Sequence, residues 1–264
     1  MKNIFGTLEW ASHNENFVSG CFHNCLYCYS KEMAIRFKRK SSANWHIEDV
    51  NNDKLNKNFK KFDGRVMFPS SHDITPNILS ESVLFLNRLL EADNDVLLVS
   101  KPHMFCIEKI CNKFESFKKN ILMRFTIGSL NSATLKIWEP NAPDFDERFN
   151  CLKYAFDKGF QTSLSIEPIL DNIDNTSQLI EDCLPYITDA VWIGKPNFLL
   201  RRLRTNGALT PLILQKATEL ENDLKDDNIK QLFKKYKSNK KVKWKDSIKS
   251  IIGMKKATSA GQDI

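Results

Sequence analysis

The sequence predicts an α/β protein, a run of parallel βα units followed by a basic helical extension. Three observations carry this. Short apolar runs rich in β-branched residues alternate with longer stretches of helical period up to Pro196, the pattern of strands joined by crossover helices. Beyond Pro196 the strand pattern stops, and three amphipathic, lysine-rich helical stretches take over. The charge divides at the same place: residues 201–264 hold sixteen Lys and Arg against seven Asp and Glu, a net +9, whereas residues 1–200 hold 23 against 25, a net −2. The expected boundary near residue 200 separates a barrel-like domain, 1–200, from a C-terminal extension, 201–264.

Six strands are expected, at 16–19, 65–68, 95–99, 121–127, 162–166 and 190–193. Helices are expected at 76–92, 103–117, 145–158 and 177–186. In the first of these, Ile78, Leu79, Val83, Leu86 and Leu90 form one apolar face; Pro76 suits its first turn, and Gly159 is placed to end the third. Residues 31–63 begin as a helix and become polar and rich in Asn, Asp and Lys, which reads as an insertion. Six right-handed parallel βα units either close most of a β/α barrel or form an open doubly wound sheet. Both keep their chemistry at the C-terminal ends of the strands. The residues there are Ser70, Ser71, His72 and Asp73; Ser100, Lys101 and His103; Ser129 and Asn131; Ser165 and Glu167; and Lys195 and Asn197.

The composition, 42% hydrophobic and 27% charged, is that of an ordinary globular protein. The first twenty residues include Glu9, His13, Asn14 and Glu15 and lack the apolar core of a signal peptide, and no apolar run is long enough to span a membrane. A cytoplasmic location is expected. Of seven cysteines, Cys106, Cys111, Cys151 and Cys183 are scattered through apolar segments as small buried hydrophobes, so no disulfide framework is implied.

Cys21, Cys25 and Cys28 are different, having the spacing C-x3-C-x2-C. Three thiolates on one short loop wrap one face of a metal centre. A structural zinc normally has four protein ligands, often in pairs. The chain has no second pair, and His23 is the fourth ligand zinc would need. An iron–sulfur cluster held by three cysteines instead leaves one iron open to a non-protein ligand.

With Tyr27 before the last cysteine, this segment resembles the radical S-adenosylmethionine (SAM) family, whose motif is C-x3-C-x-aromatic-C. The resemblance covers about residues 1–200 and implies a partial (β/α)6 TIM-like barrel. It also implies a [4Fe-4S] cluster on Cys21, Cys25 and Cys28, with SAM on the open iron. Electron transfer from the cluster would cleave SAM to methionine and a 5′-deoxyadenosyl radical, which abstracts hydrogen from the substrate. A reducing partner of the flavodoxin or ferredoxin kind follows. The family's common Gly-Gly-Glu-like sequence after strand two is replaced by Pro69-Ser70-Ser71-His72-Asp73. Ser71 and Asp73 are therefore the candidates for the SAM amino group, Lys101 or Lys195 for its carboxylate, and Tyr27 for the adenine side. Ser129 and Arg148 are further cofactor-binding candidates, and Glu167 and Lys195 the catalytic ones. Glu139, Arg148 and Glu167 are alternatively a buried charge network bracing the barrel.

Within that family the chain is most similar to the spore photoproduct lyase-like group and its phage and bacterial relatives. The similarity rests on Gly20-Cys21, Tyr27-Cys28-Tyr29, Asp73, Ser100-Lys101, the run from Trp138 to Pro143 with Arg148, and the runs 165–170 and 192–197. That group returns a hydrogen atom from a cysteine, and no cysteine here sits at a strand end to do so. Nucleic acid is the expected substrate, with basic residues 201–256 as its contact. Within them Lys234 to Lys245 interleaves lysines with Tyr236 and Trp244, which either stack on bases or pack on the barrel. The alternatives are the same chemistry on a peptide or protein, and a non-catalytic metal-stabilised binding module.

Overall fold

The computed structural model describes Ile4 and residues 6–262; the remaining residues of the two expected domains lie outside the described ones. The strands are β1 (His13–Asn14), β2 (Val18–Ser19), β3 (Asp49–Val50), β4 (Val66–Phe68), β5 (Val96–Ser100), β6 (Ile121–Thr126), β7 (Gln161–Ile166), β8 (Val191–Ile193) and β9 (Val242–Trp244). The helices are α1 (Tyr29–Arg36), α2 (Asn52–Leu55), α3 (Leu79–Glu91), α4 (Met104–Lys113), α5 (Ser132–Trp138), α6 (Phe145–Asp157), α7 (Ile173–Cys183), α8 (Leu199–Thr205), α9 (Pro211–Asp223), α10 (Asp226–Tyr236) and α11 (Asp246–Ile252).

Seven strands form one parallel sheet in the order β1-β4-β5-β6-β7-β8-β9. The order never reverses, as it would in a doubly wound sheet, so the sheet curls one way into a partial TIM-like barrel. Its strands alternate between two cores. Val66, Phe68, Val96, Leu98, Ile121 and Met123 face the helices, with Leu86, Ile107, Leu152 and Ile180. Met67, Leu97, Leu122 and Trp192 face inward and are joined by Trp10 from the N-terminal segment. Arg124 of β6, fully buried, lies 4.8 Å from the Trp10 ring and 5.5 Å from that of Trp192, and donates to Ser163 and Asp189. This cationic floor fills the lower barrel.

The five strands expected between 65 and 193 are all present. The first strand is not where it was expected. The barrel's first strand is His13–Asn14, and Val18–Ser19 pairs antiparallel with Asp49–Val50 in a separate two-stranded sheet. The reason lies in side chains: Phe17 is drawn into the aromatic cluster of Phe68 and Phe85, and Asn16 is committed to the loop after β4. Nor is the region beyond 200 wholly helical, since Val242–Trp244 adds a seventh strand beside β8.

That strand decides the role of the two tail aromatics. Trp244 is 3% exposed and packs edge-on against Phe233 at 5.4 Å, while Tyr236 is 6% exposed with its hydroxyl on Ser177 and Glu181. Both rings pack on the barrel and are closed to bases. Trp244→Ala is therefore expected to destabilise the chain by about 3–5 kcal/mol in urea unfolding, as for any buried Trp.

Candidate active site

A cavity of about 880 Å³ opens at the C-terminal ends of the strands, within the range of ligand pockets. Cys21, Cys25 and Cys28 form part of its wall, and all three thiols are free. Their loop has no strand ladder or helix to satisfy its backbone, so surrounding segments supply the partners. Cys21 N–H donates to Trp45 C=O at 2.9 Å, and Leu26 N–H to Trp138 C=O at 2.9 Å. Asn141 donates to Phe22 C=O at 3.0 Å, and Asn206 reaches both Leu26 C=O and Cys28 C=O at 2.9 and 3.0 Å. Gly20, at φ +102°, is where the loop turns under the insertion; a Cβ there would lie 2.0 Å from Ile47 O, so no side chain fits.

The loop is also tied to the barrel by charge. His23, fully buried, places Nδ1 3.2 Å from Asp73 and Nε2 2.9 Å from Nε2 of His103. Asp73 additionally accepts from Ile74 N–H, the Ser100 hydroxyl and Lys101 N–H. Burial alone would raise the Asp73 carboxyl, but His23, Lys101 and these donors outweigh it and hold it well below the carboxylate range. For Lys101, burial acts to lower the ammonium, and Cys25, Glu139 and Asp73 around it prevail and keep it charged. Burial pushes the Cys25 thiol up to about 12, with Lys101 opposing.

Two further ion pairs frame the wall. Beneath the cysteines, the Tyr27 hydroxyl donates to Glu139, whose other oxygen lies 2.5 Å from Arg148, both charged side chains being fully buried. Burial would raise the Glu139 carboxyl, but Arg148 more than offsets this and holds it below its ordinary value. Across the cavity, Lys245 Nζ sits 2.9 Å from Glu9, 3.6 Å from Glu167 and 2.7 Å from Gly6 C=O. Gly194 permits this convergence, because a Cβ there would lie 3.1 Å from both Glu167 and Lys245.

Cys21, Cys25, Cys28, Tyr27, Ser71, Asp73, Lys101, Glu167 and Lys195 thus share one cavity. Ser129 and Arg148 do not line it. Ser129 donates to Asp171, and Arg148 lies behind Tyr27, donating to Pro143 C=O and Thr126 C=O as well as to Glu139. The braced network consists of Glu139 and Arg148, with Glu167 belonging to a different pair. Asp73, expected at the SAM ammonium, lines the cavity and accepts three hydrogen bonds from the wall, with His23 Nδ1 3.2 Å away. His72 lines the cavity with its ring packed on Phe17 and Phe68, and burial lowers it to about 4. His23, weighed in the sequence only as a fourth zinc ligand, and Glu9 and Lys245, which were missed, belong to the site. Only the lysine spacing of β9 hinted at the last.

Among the described residues no three His, Cys, Asp or Glu side chains, the three cysteines included, converge as around one ion, and His23 stands with Nδ1 3.2 Å from Asp73 and Nε2 on His103. Cys21, Cys25 and Cys28 line the cavity with thiols outside any disulfide, the donor type that an iron–sulfur cluster takes. The buried Ser165 hydroxyl, which also lines the cavity, has no hydrogen-bond partner among the described residues and would gain one from a ligand.

No protein-family model matches the sequence. An uncharacterised protein of Acidianus two-tailed virus is 22% identical over 233 residues, 83% of this chain and 76% of that protein. Spore photoproduct lyase, as a doubly substituted mutant with bound AdoMet and dinucleoside spore photoproduct, superposes with a TM-score of 0.57 at 14% identity, over 91% of this chain and 78% of that one. SuiB of Streptococcus suis bound to precursor peptide SuiA gives a TM-score of 0.52 at 10% identity, over 92% of this chain and 49% of that one. The chain has the fold of spore photoproduct lyase and of SuiB, and the first of these matches over most of both chains.

Arg148→Met would leave Glu139 buried without its partner, and a loss of about 3–5 kcal/mol is expected in urea unfolding. Pairing it with Glu139→Leu should recover a large part of that loss, a coupling that a double-mutant cycle measures.

Proposed function

We propose that the protein is a radical SAM enzyme that uses SAM cleavage to abstract hydrogen from a nucleic-acid substrate. The observation that carries the chemistry is the cavity itself, where three free thiols on a pre-fastened loop face cationic and carboxylate side chains at the ends of a parallel half-barrel. Cys21, Cys25 and Cys28 would hold a [4Fe-4S] cluster. Reduced and with SAM on its open iron, that cluster would supply the electron that breaks the sulfonium C–S bond, giving methionine and the 5′-deoxyadenosyl radical.

The protein's own contribution is placement. Lys101, kept charged among acidic neighbours, offers the cation for the SAM carboxylate, and Lys195, after β8, also lines the cavity. Ser71 offers a hydroxyl to the amino group. Its backbone N–H and that of Ser70 are both pinned by the Asn16 carboxamide oxygen, at 2.9 and 2.8 Å. Tyr27, locked by Glu139, presents its ring beside the cysteines. Glu167, steered by Lys245, is placed to accept from hydroxyls on the facing side.

Support for a nucleic-acid substrate comes from the mouth, where the exposed rings of Tyr29 and Phe198 stand beside Arg201 and Arg202. No further cysteine enters the cavity wall: among the described residues Cys106, Cys111, Cys151 and Cys183 are all buried and none lines it. Hydrogen return from a cysteine of this chain is therefore outside the proposal.

The test is anaerobic reconstitution with iron and sulfide, then reduction in the presence of SAM, with 5′-deoxyadenosine quantified. Formation of 5′-deoxyadenosine is expected from the native chain. Cys21→Ala should lose both the cluster absorbance and the product. An intact, reduced cluster that yields none would overturn the enzymatic reading, and cleavage retained by Cys21→Ala would overturn the ligand assignment.

A further inference from the structure

Phe198 combines three features that packing does not explain. It is 64% exposed, the most of the large hydrophobic side chains among the described residues, yet it lines the mouth of the cavity. Its backbone is left-handed, φ +54° and ψ +40°, a conformation that costs a residue with a Cβ and that glycine or asparagine adopts more readily. Its ring is held in place by the Arg201 guanidinium, 4.1 Å from the centroid.

Arg201 is itself anchored. Its Nε lies 2.9 Å from Glu32, a carboxylate 3% exposed that also meets Arg202 Nε at 3.5 Å. Glu32 sits in the first turn of α1, directly after Cys28. A strained, exposed ring clamped by a cation fixed on a buried carboxylate is expensive to maintain, and it contributes little to the core. Such strain collects at ligand clamps.

We infer that Phe198, backed by Arg201, is a stacking platform for an unpaired nucleobase of the substrate, setting specificity at the cavity mouth for single-stranded or flipped-out nucleotides over paired ones. This rests on the nucleic-acid reading above. The ring supplies a π-face without selecting a base, and a guanidinium with more than half its side chain exposed adds attraction for the neighbouring phosphate. Duplex bases, stacked on each other, leave no face for it.

The experiment measures fluorescence anisotropy of labelled 12-mers, as single-stranded DNA, single-stranded RNA and duplex, at low salt. It uses both the cluster-loaded chain with SAM and the chain as purified. Thermal unfolding is recorded in parallel for the native chain, Phe198→Gly and Phe198→Trp. Phe198→Gly should weaken single-strand binding by about tenfold or more, while its melting temperature stays level or rises by roughly 2 °C as the strain is relieved. Phe198→Trp should bind at least as well as the native chain. Duplex binding should be weaker and respond little to either change. Unchanged single-strand affinity in Phe198→Gly would refute the platform, as would a matching fall in melting temperature, which marks the ring as structural. A native chain that binds neither single strand would refute it too, and would favour a peptide at the mouth. Because the readout is binding and melting, a failure here is distinct from a failure to form 5′-deoxyadenosine.

Discussion

The loop from Gly20 to Cys28 places three thiols on one wall while possessing no regular structure of its own. Its backbone groups and its one buried histidine must therefore be satisfied by other parts of the chain, and much of the fold is arranged around that requirement. The insertion supplies Trp45 C=O, the segment after α5 supplies Trp138 C=O and Asn141, the end of α8 supplies Asn206, and the loop after β4 supplies Asp73 through His23. Apart from Asn141, which is exposed, these fasteners are buried or partly buried polar groups, where an unmet hydrogen bond is costly and a met one is rigid. A loop held from four sides loses little further freedom when a ligand arrives.

The same requirement explains which parts of the sequence were legible. The strands β4, β5, β6 and β8 are predominantly apolar runs, and β7 alternates Thr162, Leu164 and Ile166 with polar residues; both patterns announce a strand. The strands β1 and β9 are two and three residues long and carry no run; they exist because the adjacent strand edges need partners. The cysteine spacing is local and was readable. The contacts that position it are not: Tyr27 and Glu139 lie 112 residues apart, His23 and His103 80 apart. Nothing in the neighbourhood of Glu139 distinguishes a ligand from a brace until Arg148 is seen behind it.

The closing of the barrel's open side was the least legible feature. Glu9 precedes β1, Lys245 follows β9, and the two meet 2.9 Å apart with Glu167 alongside. The sequence marked Lys245 only as one lysine in a basic tail, and on that footing the tail looked like a nucleic-acid arm. In the fold it is wall. Burying that ammonium is tolerable because two carboxylates and a carbonyl surround it and the Trp10 ring lies 4.1 Å away. A truncation meant to remove a basic arm would thus remove a strand and a cavity residue, and any loss of ligand binding that followed would report on folding.

The presence of Pro69-Ser70-Ser71-His72-Asp73 where the sequence resemblance would lead one to expect a Gly-Gly-Glu-like segment acquires a physical sense from this arrangement. A Gly-Gly-Glu-like segment presents backbone and a free carboxylate. Here the carboxylate is Asp73, and it is turned to the wall by His23, Ser100 and the amides of Ile74 and Lys101, while Asn16 fixes the amides of Ser70 and Ser71. Negative charge at this corner is thus spent on holding the cysteine loop, and the groups left facing the cavity are the Ser71 hydroxyl and the Lys101 ammonium. An amino-acid-like ligand settling there would meet the cation with its carboxylate and the hydroxyl with its ammonium. Under the proposed reading its orientation would be set chiefly by Lys101, so that the lysine after β5, more than the acid after β4, would govern how such a ligand lies.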